Sequence, residues 1–379
     1  MKGSTRKRGN TWTAYWFTTH LETGRRKQHT KGGFRTQRAA QEHLNEILGK
    51  VQTGNWTPDK RMTVKELLTD WLASKKSEGL AATTLAQYGN VIESWLVPNV
   101  GGLELRQLSP AKAQQLADTL RTSGSALKRG GLSARSVQLS ITVLKAATAW
   151  AFETGLIGRD PLAGYRRPRA NSGGHSGAAW TADEARAFLS YSSNDRLAPA
   201  WVLLLTRGLR RGELAGLRWG AVDLDAGTMR IVSTRVLVNG KPQDSRPKTE
   251  AGRRNVPLDE KLIALLRALK TRQSEERLAL GEWGGEDYVF TDEFGQPVHP
   301  EHFSTSFDYL TKAAGLRTVR LHDLRHTAAS LMIASGANVK VVAELLGHSS
   351  PTITQTIYQH VMPGMSKAVG EQLSTSLLG

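Results

Sequence analysis

The first sixty residues carry two short runs of strand-like residues followed by one helical pattern. Aromatic and β-branched side chains crowd residues 12–17, and a second, more polar run covers residues 26–31. Aromatic and β-branched residues favour a pleated, half-buried surface, as in a β-strand. Thr36 is a favourable N-cap for the helical pattern QRAAQEHLNEIL. The pattern predicts a small β-sheet with one helix, followed by a linker at residues 54–61.

The next hundred residues contain four helical patterns and no strand-like run. Thr63 and Glu66 form a T-x-x-E capping box before VKELLTDWLASKK, and Ser109 followed by Pro110 is a second helix-start signal. The other patterns are ATTLAQYGNVIESWLV, PAKAQQLADTLRT and SARSVQLSITVLKAATAWAFETG. We therefore predict a four-helix, all-α domain that ends in the Arg-, Pro- and Gly-rich linker YRRPRANSGGHSGA.

The last part of the chain mixes helical patterns with a hairpin signal. Thr181 and Glu184 form another capping box, and the apolar helix APAWVLLLTRG follows. TMRIVSTRVLVNG predicts one strand that ends at the Asn239-Gly240 turn, and RRNVPL predicts a returning strand. From Asp259 onward the pattern is mostly helical. We expect a helical domain with a small antiparallel sheet.

Length and composition fit this division into several domains. At 379 residues the chain exceeds what one hydrophobic core usually organises, and a hydrophobic content of 39% is enough to build more than one. The fold predicted is mainly α with small antiparallel sheets. Its parts are a β-sheet-plus-helix module at residues 1–61, a helical domain at 62–165, a linker at 166–178 and an α+β domain at 179–379.

Charge changes the picture because it indicates the kind of partner. The chain has 51 Lys and Arg against 34 Asp and Glu, a formal net charge of +17, which points to nucleic acid or an anionic membrane surface. Residues 1–61 alone hold 13 basic and 4 acidic side chains, whereas residues 179–379 hold 24 and 22. We therefore expect the N-terminal part of the chain to bind a polyanion nonspecifically. The almost neutral C-terminal part is expected to bind one through a few specifically positioned residues.

Several classes of protein are disfavoured by what the sequence lacks. It has no Cys, which excludes disulfides, thiol catalysis and Cys-ligated zinc or iron–sulfur sites. It has no uncharged apolar run near the roughly 20 residues of a membrane span and no secretory signal at its start. We expect a cytoplasmic protein of a bacterial cell, associated with the nucleoid and not with a membrane.

Four separated motifs contain residues suited to phosphoryl transfer. They are GLRRGEL with Arg210, RPKTEAGRRNVPL with Lys248, LHDLRHTAA with His322 and Arg325, and LGHSSPTITQTIYQH with His348 and Tyr358. Each alone is weak, since a hairpin lysine is usually solvated and Arg210 with Glu213 could be an ordinary i,i+3 pair. As a set they supply two guanidinium groups for the non-bridging oxygens of a phosphodiester, a hydroxyl nucleophile, and His and Lys for proton transfer.

The same inventory disfavours nucleotide hydrolysis and metal-dependent cleavage. No G-x-x-x-x-G-K-[ST] string occurs, and no carboxylate cluster suggests a two-metal nuclease. His299 and His302 are close in sequence but lack a third ligand. We expect no cofactor and no metal.

The order Arg, Lys, His-x-x-Arg, His, Tyr resembles the tyrosine recombinase family, the phage-type integrases in particular. The resemblance covers about residues 62–364, and residues 1–61 resemble, less specifically, the arm-binding domain of such integrases. One departure is Arg207, which intervenes in TRGLRRGE where the family often has Gly directly after the Thr. We interpret it as a local variation of the turn. His326, next to the motif, is expected to be a packing residue.

The resemblance implies a role for each matching position. Arg210 and Arg325 would hold the scissile phosphate, and Tyr358 would be the nucleophile that forms a 3′-phosphotyrosine bond. Lys248 would be the general acid, and His322 would be the base toward the tyrosine. His348 would donate a hydrogen bond to a phosphate oxygen. Glu213 would orient the loop that carries the first arginine.

The implied activity is cutting and rejoining of double-stranded DNA at core and arm attachment sites by a homotetramer, integrating and excising a mobile element. Such enzymes act with DNA-bending host factors and directionality factors. Two alternatives stay open: a type IB topoisomerase-like relaxing enzyme and a catalytically silent DNA-binding regulator. After the Pro363-Gly364 break, Met365, Val369, Leu373 and Leu377 form one apolar stripe. This stripe predicts a helix that docks on a neighbouring protomer or, alternatively, on its own domain.

Overall fold

The computed structural model describes most of the chain. The described residues are 3–19, 26–52, 62–124, 130–166, 179–247, 250–281, 283–284, 287–347 and 375. Lys248, His348, Tyr358 and the predicted helix after Pro363, Thr375 apart, lie outside them. The chain divides into two compact units, Met1–Gly173 and Gly174–Gly379. The fold class predicted from the sequence is confirmed: helices dominate, and all the strands pair in small antiparallel sheets.

The first unit opens with a three-stranded antiparallel sheet and one helix. The elements are β1 Ser4–Arg8, β2 Thr11–Thr19, β3 Arg26–Phe34 and α1 Gln37–Gln52, and the strand order is β1-β2-β3. Ala14 and Trp16 on β2 are buried together with Leu44 on α1. The strand pattern had indicated only β2 and β3. It missed β1 because STRKR has no apolar residue, and this edge strand is held by backbone pairing with β2.

The four predicted helices of the next segment are confirmed. They are α2 Val64–Ser77, α3 Ala82–Val91 with its continuation α4 Val97–Val100, α5 Pro110–Thr122 and α6 Ala134–Glu153. A π-helical turn, Ile92–Leu96, joins α3 to α4 just before Pro98, whose ring cannot donate a backbone hydrogen bond. Both hydrogen bonds of the Thr63 and Glu66 capping box are present, and Ser109 caps α5.

The second unit is a helical domain with two small sheets. Its helices are α7 Ala182–Tyr191, α8 Ala198–Arg207, α9 Arg211–Ala215, α10 Glu260–Leu280, α11 Pro300–Ala313, α12 Asp323–Ala334 and α13 Val339–Leu346. Its strands are β4 Val222–Asp223, β5 Thr228–Ile231, β6 Thr234–Val238, β7 Lys241–Ser245 and β8 Arg254–Pro257. No helix in the described ranges is long and apolar enough to cross a membrane.

The prediction of one continuous strand over TMRIVSTRVLVNG is wrong, because the chain breaks it between Ile231 and Thr234. β5 belongs to the three-stranded sheet β4-β5-β8, whereas β6 pairs only with β7. At the break the Ser233 hydroxyl donates to the carbonyl of Gly216 at 2.6 Å, which turns the backbone out of the first sheet. The turn signal is confirmed, since Asn239 and Gly240 both have positive φ, as a two-residue hairpin requires.

An aromatic core fixes α7, α8 and α11 against one another. Trp180, Phe188, Trp201, Phe303 and Phe307 are buried, with ring centroids 5.2–6.4 Å apart in tilted or edge-to-face contacts. Such pairs stabilise beyond their buried area. The core therefore gives α8 a fixed position, and the functional motif GLRRGEL begins directly at its C-terminal end.

The β6–β7 hairpin is anchored to this domain by a cluster around Tyr288. The guanidinium groups of Arg218 and Arg235 lie over its ring, 4.3 and 4.9 Å from the centroid. The Tyr288 hydroxyl donates to Asp244 at 2.5 Å, and Arg218 also binds that carboxylate at 2.6 Å. Burial and the hydrogen bond to Asp244 raise the pKa of Tyr288 to about 12. An isolated two-stranded hairpin is marginal in water, so these contacts hold it in place.

We predict that Tyr288→Phe lowers the free energy of unfolding of the protein. The change removes the hydroxyl that donates to Asp244 and accepts from Arg218 at 3.0 Å, so each of these partly buried groups loses one hydrogen bond. The expected loss is about 1–3 kcal/mol. It should appear as a lower urea midpoint with an unchanged slope. Tyr309→Phe, at an exposed tyrosine, is the control and should have no comparable effect. Equal midpoints for the two variants would contradict the anchoring role.

Candidate active site

Arg210 is placed by the junction between α8 and α9. Gly208 ends α8 in the left-handed conformation, at φ 60°, and Arg210 is the N-cap of α9. Glu213, one turn into α9, accepts the backbone N–H of Arg210 at 2.9 Å and its Nη1 at 2.7 Å. The i,i+3 pair expected from the sequence is therefore a capping interaction that also fixes the arginine side chain. The second terminal nitrogen, Nη2, donates to the carbonyl of Gly347 at 2.8 Å.

Glu213 is shared with a second arginine that the motif analysis did not single out. Arg254, at the start of β8, donates Nη1 and Nη2 to the two carboxylate oxygens at 3.0 and 2.9 Å. The Glu213 residue is only 2% exposed. Burial would raise the pKa of Glu213, but the hydrogen bonds and charge of Arg254, with those of Arg210, bring the pKa below its usual value. The carboxylate is thus ionised inside the domain.

Arg325 lies on the first turn of α12 and is 4% exposed. Its Nη1 donates to the carbonyl of Gly208 at 2.7 Å, and its Nη2 donates to the carbonyl of Leu346. Burial, and then the nearby charge of Arg210, lower the pKa of Arg325 to about 9. That value is still well above neutral, so the guanidinium is charged at pH 7. A side chain at Gly208 would collide with Leu346, which is why this close approach needs glycine.

Three guanidinium groups meet at the C-terminal end of α13. Each donates a hydrogen bond to the carbonyl of one of three consecutive residues: Arg254 to Leu345, Arg325 to Leu346 and Arg210 to Gly347. The last carbonyls of a helix lack intrahelical partners and carry partial negative charge, so cations are favourable there. Gly347 ends the helix in the left-handed conformation, at φ 67°. Gly347, the last described residue before His348, is therefore fixed beside Arg210 and Arg325.

His322 precedes α12 and faces the same region. Its ring contacts the ring of His326 edge-on, with centroids 5.8 Å apart. Burial lowers the pKa of His322, and the nearby His326 and Arg325 lower it further against the opposing effect of Asp323. The imidazole is consequently neutral at pH 7 and can accept a proton. His326 is about half-buried in this contact, in keeping with a packing role.

Of the six predicted site residues, the structure brings Arg210, His322 and Arg325 together; Lys248, His348 and Tyr358 lie outside the described residues. Arg207, which departs from the family pattern, binds Asp259 at 2.6 Å and the carbonyl of Pro257 at 2.8 Å. It is therefore occupied away from Arg210.

Sequence reasoning missed Arg254, which it had treated only as part of a strand in RRNVPL. The available signal was a charged residue at the start of a short apolar strand, whose burial would require an acidic partner. Among the described residues no group of three His, Asp or Glu side chains could hold a metal ion. His299 instead caps α11 by accepting the N–H of Glu301 at 3.2 Å.

Family models match three separate parts of the chain. Residues 179–364 match the phage integrase family, residues 63–121 match the phage integrase N-terminal SAM-like domain, and residues 4–51 match an arm DNA-binding domain. These matches cover most of the second unit and, in the first, the sheet-and-helix module and the helices up to α5.

Relatives that match about two thirds of the chain or more carry recombinase and integrase names. The chain is 32% identical over 307 residues to tyrosine recombinase XerC of Xylella fastidiosa (strain 9a5c), covering 79% of this chain and 93% of the relative. It is 24% identical over 359 residues to a XerC-like tyrosine recombinase of Caldanaerobacter subterraneus, covering 90% of each. The ICEBs1 integrase of Bacillus subtilis is 28% identical over 254 residues, 66% of this chain and 68% of that integrase.

Solved structures agree in fold. The Tn1549 transposon integrase in complex with transposon right end DNA superposes with a TM-score of 0.66 at 21% identity, covering 83% of this chain and 100% of that one. A lambda integrase tetramer bound to a Holliday junction gives a TM-score of 0.59 at 18% identity, covering 93% and 96%. The sequence matches, with which the fold agrees, show that the chain belongs to the phage integrase family of tyrosine recombinases, enzymes that cleave and rejoin DNA.

Proposed function

We propose that this site-specific recombinase integrates and excises a mobile element by cutting DNA at attachment sites through a covalent 3′-phosphotyrosine. The observation that carries the proposal is the convergence of Arg210 and Arg325 on the carbonyls of Gly347 and Leu346. Two guanidinium groups thereby meet where the LGHSS motif begins, twelve residues before the tyrosine in the sequence. Such a pair suits the two non-bridging oxygens of one phosphodiester.

The charge balance of the cluster supports an anionic ligand. Arg210 and Arg254 bind one carboxylate, that of Glu213, and Arg325 lies near it, which leaves two positive charges in a largely buried place. A phosphodiester carries one negative charge, and more accumulates on its oxygens as the pentacovalent transition state forms. Fixed positive charge aimed at those oxygens therefore stabilises the transition state more than the ground state. The Arg210 side chain is 39% exposed and can meet a ligand, and Arg325, although only 4% exposed, adds its charge at the same place.

The proposed chemistry needs only proton transfer besides this clamp. The Tyr358 oxygen attacks phosphorus and passes its proton to neutral His322, while the 5′ oxygen leaves with a proton from Lys248. His348 donates a hydrogen bond to a phosphate oxygen. One phosphodiester is exchanged for another, so the reverse attack by a 5′ hydroxyl rejoins the strand without nucleotide hydrolysis.

We expect Tyr358→Phe to bind core-site DNA but to form no covalent complex, because only the nucleophilic oxygen is lost. A duplex nicked beside the cleavage position traps wild-type protein, since the short cut strand diffuses away before it can be rejoined. The trapped adduct migrates as a slower band in a denaturing gel. A band of equal strength from the Phe variant would refute the assignment of the nucleophile. Normal binding in a mobility shift serves as the folding control.

The lowered pKa of His322 predicts the acid side of the pH profile. Protonation removes the base, so single-turnover cleavage should hold at neutral pH and fall only below the ordinary imidazole pKa of about 6.5. His322→Gln should be slower, by about 10²- to 10⁴-fold, and lack this acid limb. His326→Gln should retain it. An acid limb centred above about 6.5, or one that survives in His322→Gln, would exclude His322 as the base.

The N-terminal module is proposed to bind arm sites through the sheet face turned away from α1, here called the outer face. Antiparallel pairing puts Arg6 opposite Thr13 and Arg8 opposite Thr11, on the face that does not carry Ala14 and Trp16. The guanidinium of Arg6 lies 5.5 Å from the centroid of the Tyr15 ring on the same face. A small sheet with exposed cations can enter a DNA groove and contact phosphates.

We predict that the fragment of residues 1–61 binds duplex DNA with an affinity that falls steeply with salt. Each phosphate contact adds about −0.9 to the slope of log K against log salt concentration. Arg6→Ala should reduce that slope by about one contact, because Arg6 lies on the outer face. Lys7→Ala, which changes the same charge on the opposite face, is the matched control and should have a smaller effect. A flat salt dependence for the fragment would indicate a protein partner instead.

Assembly and division of labour follow from the same proposal. Residues 1–61 would bind arm sites, residues 62–165 the core site, and residues 179–379 would carry the chemistry after the linker at 166–178. We propose a homotetramer acting in the bacterial cytoplasm with a DNA-bending host factor and a directionality factor, in which the C-terminal tail docks on the neighbouring protomer. The arm DNA-binding match at residues 4–51 and the family match disfavour a topoisomerase-like enzyme or a silent regulator.

A further inference from the structure

Arg254 is a buried cation at the start of β8. Its side chain is 7% exposed, and its three nitrogens are directed at groups within the domain. Nε donates to the carbonyl of Leu345 at 2.6 Å, and the two terminal nitrogens bind the carboxylate of Glu213. A charge in such a place is costly unless every part of it is paired. Its contacts connect β8, α9 and the end of α13.

The carboxylate of Glu213 links Arg254 to Arg210 atom by atom. Oε1 accepts from Nη1 of Arg210 at 2.7 Å and from Nη1 of Arg254 at 3.0 Å. Oε2 accepts the backbone N–H of Arg210 and Nη2 of Arg254, both at 2.9 Å. The planar fork of Arg254 thus fixes the plane of the carboxylate, and the carboxylate in turn fixes the Arg210 side chain and the start of α9.

Arg254 also acts on the other side of Arg210. The carbonyl of Leu345 that it holds is two residues before Gly347, whose carbonyl is the second partner of Arg210. A Cβ on Gly347 would lie 2.6 Å from the carbonyl oxygen of Ala251 and 3.0 Å from Nη1 of Arg254, so the helix end sits tightly against this arginine. Both anchors of Arg210 therefore depend on one residue.

We propose that Arg254 is a positioning residue for the phosphate clamp, acting through Glu213 and the end of α13 to hold Arg210 in the geometry that meets the scissile phosphate. The inference rests on the proposed role of Arg210. Arg254 itself touches neither DNA nor the reacting atoms. Misplacing a clamp by about 1 Å can cost on the order of 100-fold in rate, so the effect on chemistry should exceed the effect on folding.

A purely structural role is the competing explanation, and the same domain offers a matched control. Arg196 binds Glu276 with both terminal nitrogens, at 2.6 and 2.7 Å. It also donates Nε to the carbonyl of Thr291 at 2.9 Å and Nη2 to the carbonyl of Asp292 at 2.8 Å. This arginine has the same type of bonding as Arg254, but none of its partners contacts Arg210 or Arg325. Arg196→Lys therefore reports the cost of weakening a bidentate ion pair alone.

The test compares two substrates, a nicked core-site duplex with a natural scissile phosphate and one with an uncharged methylphosphonate there. Removing the phosphate charge removes most of the need for the clamp, whereas it cannot repair a misfolded domain. On the natural phosphate, Arg254→Lys should slow covalent-complex formation by about 10- to 100-fold, with affinity for the core site changed less than about twofold. On the methylphosphonate its rate should come close to that of the wild type. Arg196→Lys should match the wild type on both substrates.

A double variant keeps the proposal testable if Arg254→Lys does not fold. Glu213→Gln with Arg254→Met removes both charges of the buried pair, which is tolerated better than removal of one. It should show the same loss on the phosphate and the same recovery on the methylphosphonate. No recovery in either folded variant, or an equal loss in Arg196→Lys, would overturn the proposal.

Arg210→Ala separates this proposal from the one on which it rests. If Arg210 is part of the clamp, Arg210→Ala is strongly impaired on the phosphate and recovers on the methylphosphonate. Failure of Arg210→Ala to recover would refute the clamp itself. Recovery of Arg210→Ala without recovery of the Arg254 variants would refute only the positioning role.

Discussion

The buried carboxylate of Glu213 is the interaction on which the rest of the active site depends. Three guanidinium groups in one small volume repel one another, and their burial removes the water that would otherwise screen them. A single ionised carboxylate, accepting hydrogen bonds from Arg210 and Arg254, makes this grouping possible. The carboxylate offsets only part of the charge. The positive charge that remains can be balanced by a phosphodiester.

Backbone carbonyls supply the second half of this balance and determine the fold around the site. The C-terminal end of α13 offers three consecutive acceptors, and the C-terminal end of α8 offers the carbonyl of Gly208. For one arginine, Arg325, to bind both helix ends, the two must approach closely. Gly208 permits this against Leu346, and Gly347 permits it against Ala251 and Arg254. The two glycines thus belong to the electrostatic design of the site as much as to helix termination.

Local signals predicted most of the elements because their causes lie within a few residues. The capping boxes at Thr63 and Thr181 and the Asn239-Gly240 turn all formed as expected. β1 and the break between β5 and β6 were not predicted. β1 is held by backbone pairing with its neighbour β2, which no apolar pattern in STRKR signals, and Ser233 at the break binds the carbonyl of Gly216, 17 residues before it.

The candidate site shows the same difference between residues that a local motif identifies and residues that only tertiary contacts identify. Motif order was enough to select Arg210, His322 and Arg325, since a resemblance transfers residue types at typed positions. It could not select Arg254, which lies 41 residues from Glu213 in the chain and acquires its role only when β8 packs beside α9 and α13. Supporting residues of this kind are defined by tertiary contact, because a buried ion pair leaves no local pattern of its own.

The arrangement also suits a reaction that must run in both directions. Folding of the domain places these charges before DNA binds, and it covers the free-energy cost of bringing them together. The charges therefore need little reorganisation when negative charge builds up on the phosphate oxygens. Cleavage and rejoining pass through the same kind of pentacovalent state at the same phosphorus, and a clamp that binds only the non-bridging oxygens stabilises it equally from either side. A clamp held by Glu213, Arg254 and helix carbonyls is independent of which strand end is attacking. Under the proposed function, the direction of recombination therefore has to be set outside this cluster and not in the chemistry at the phosphate.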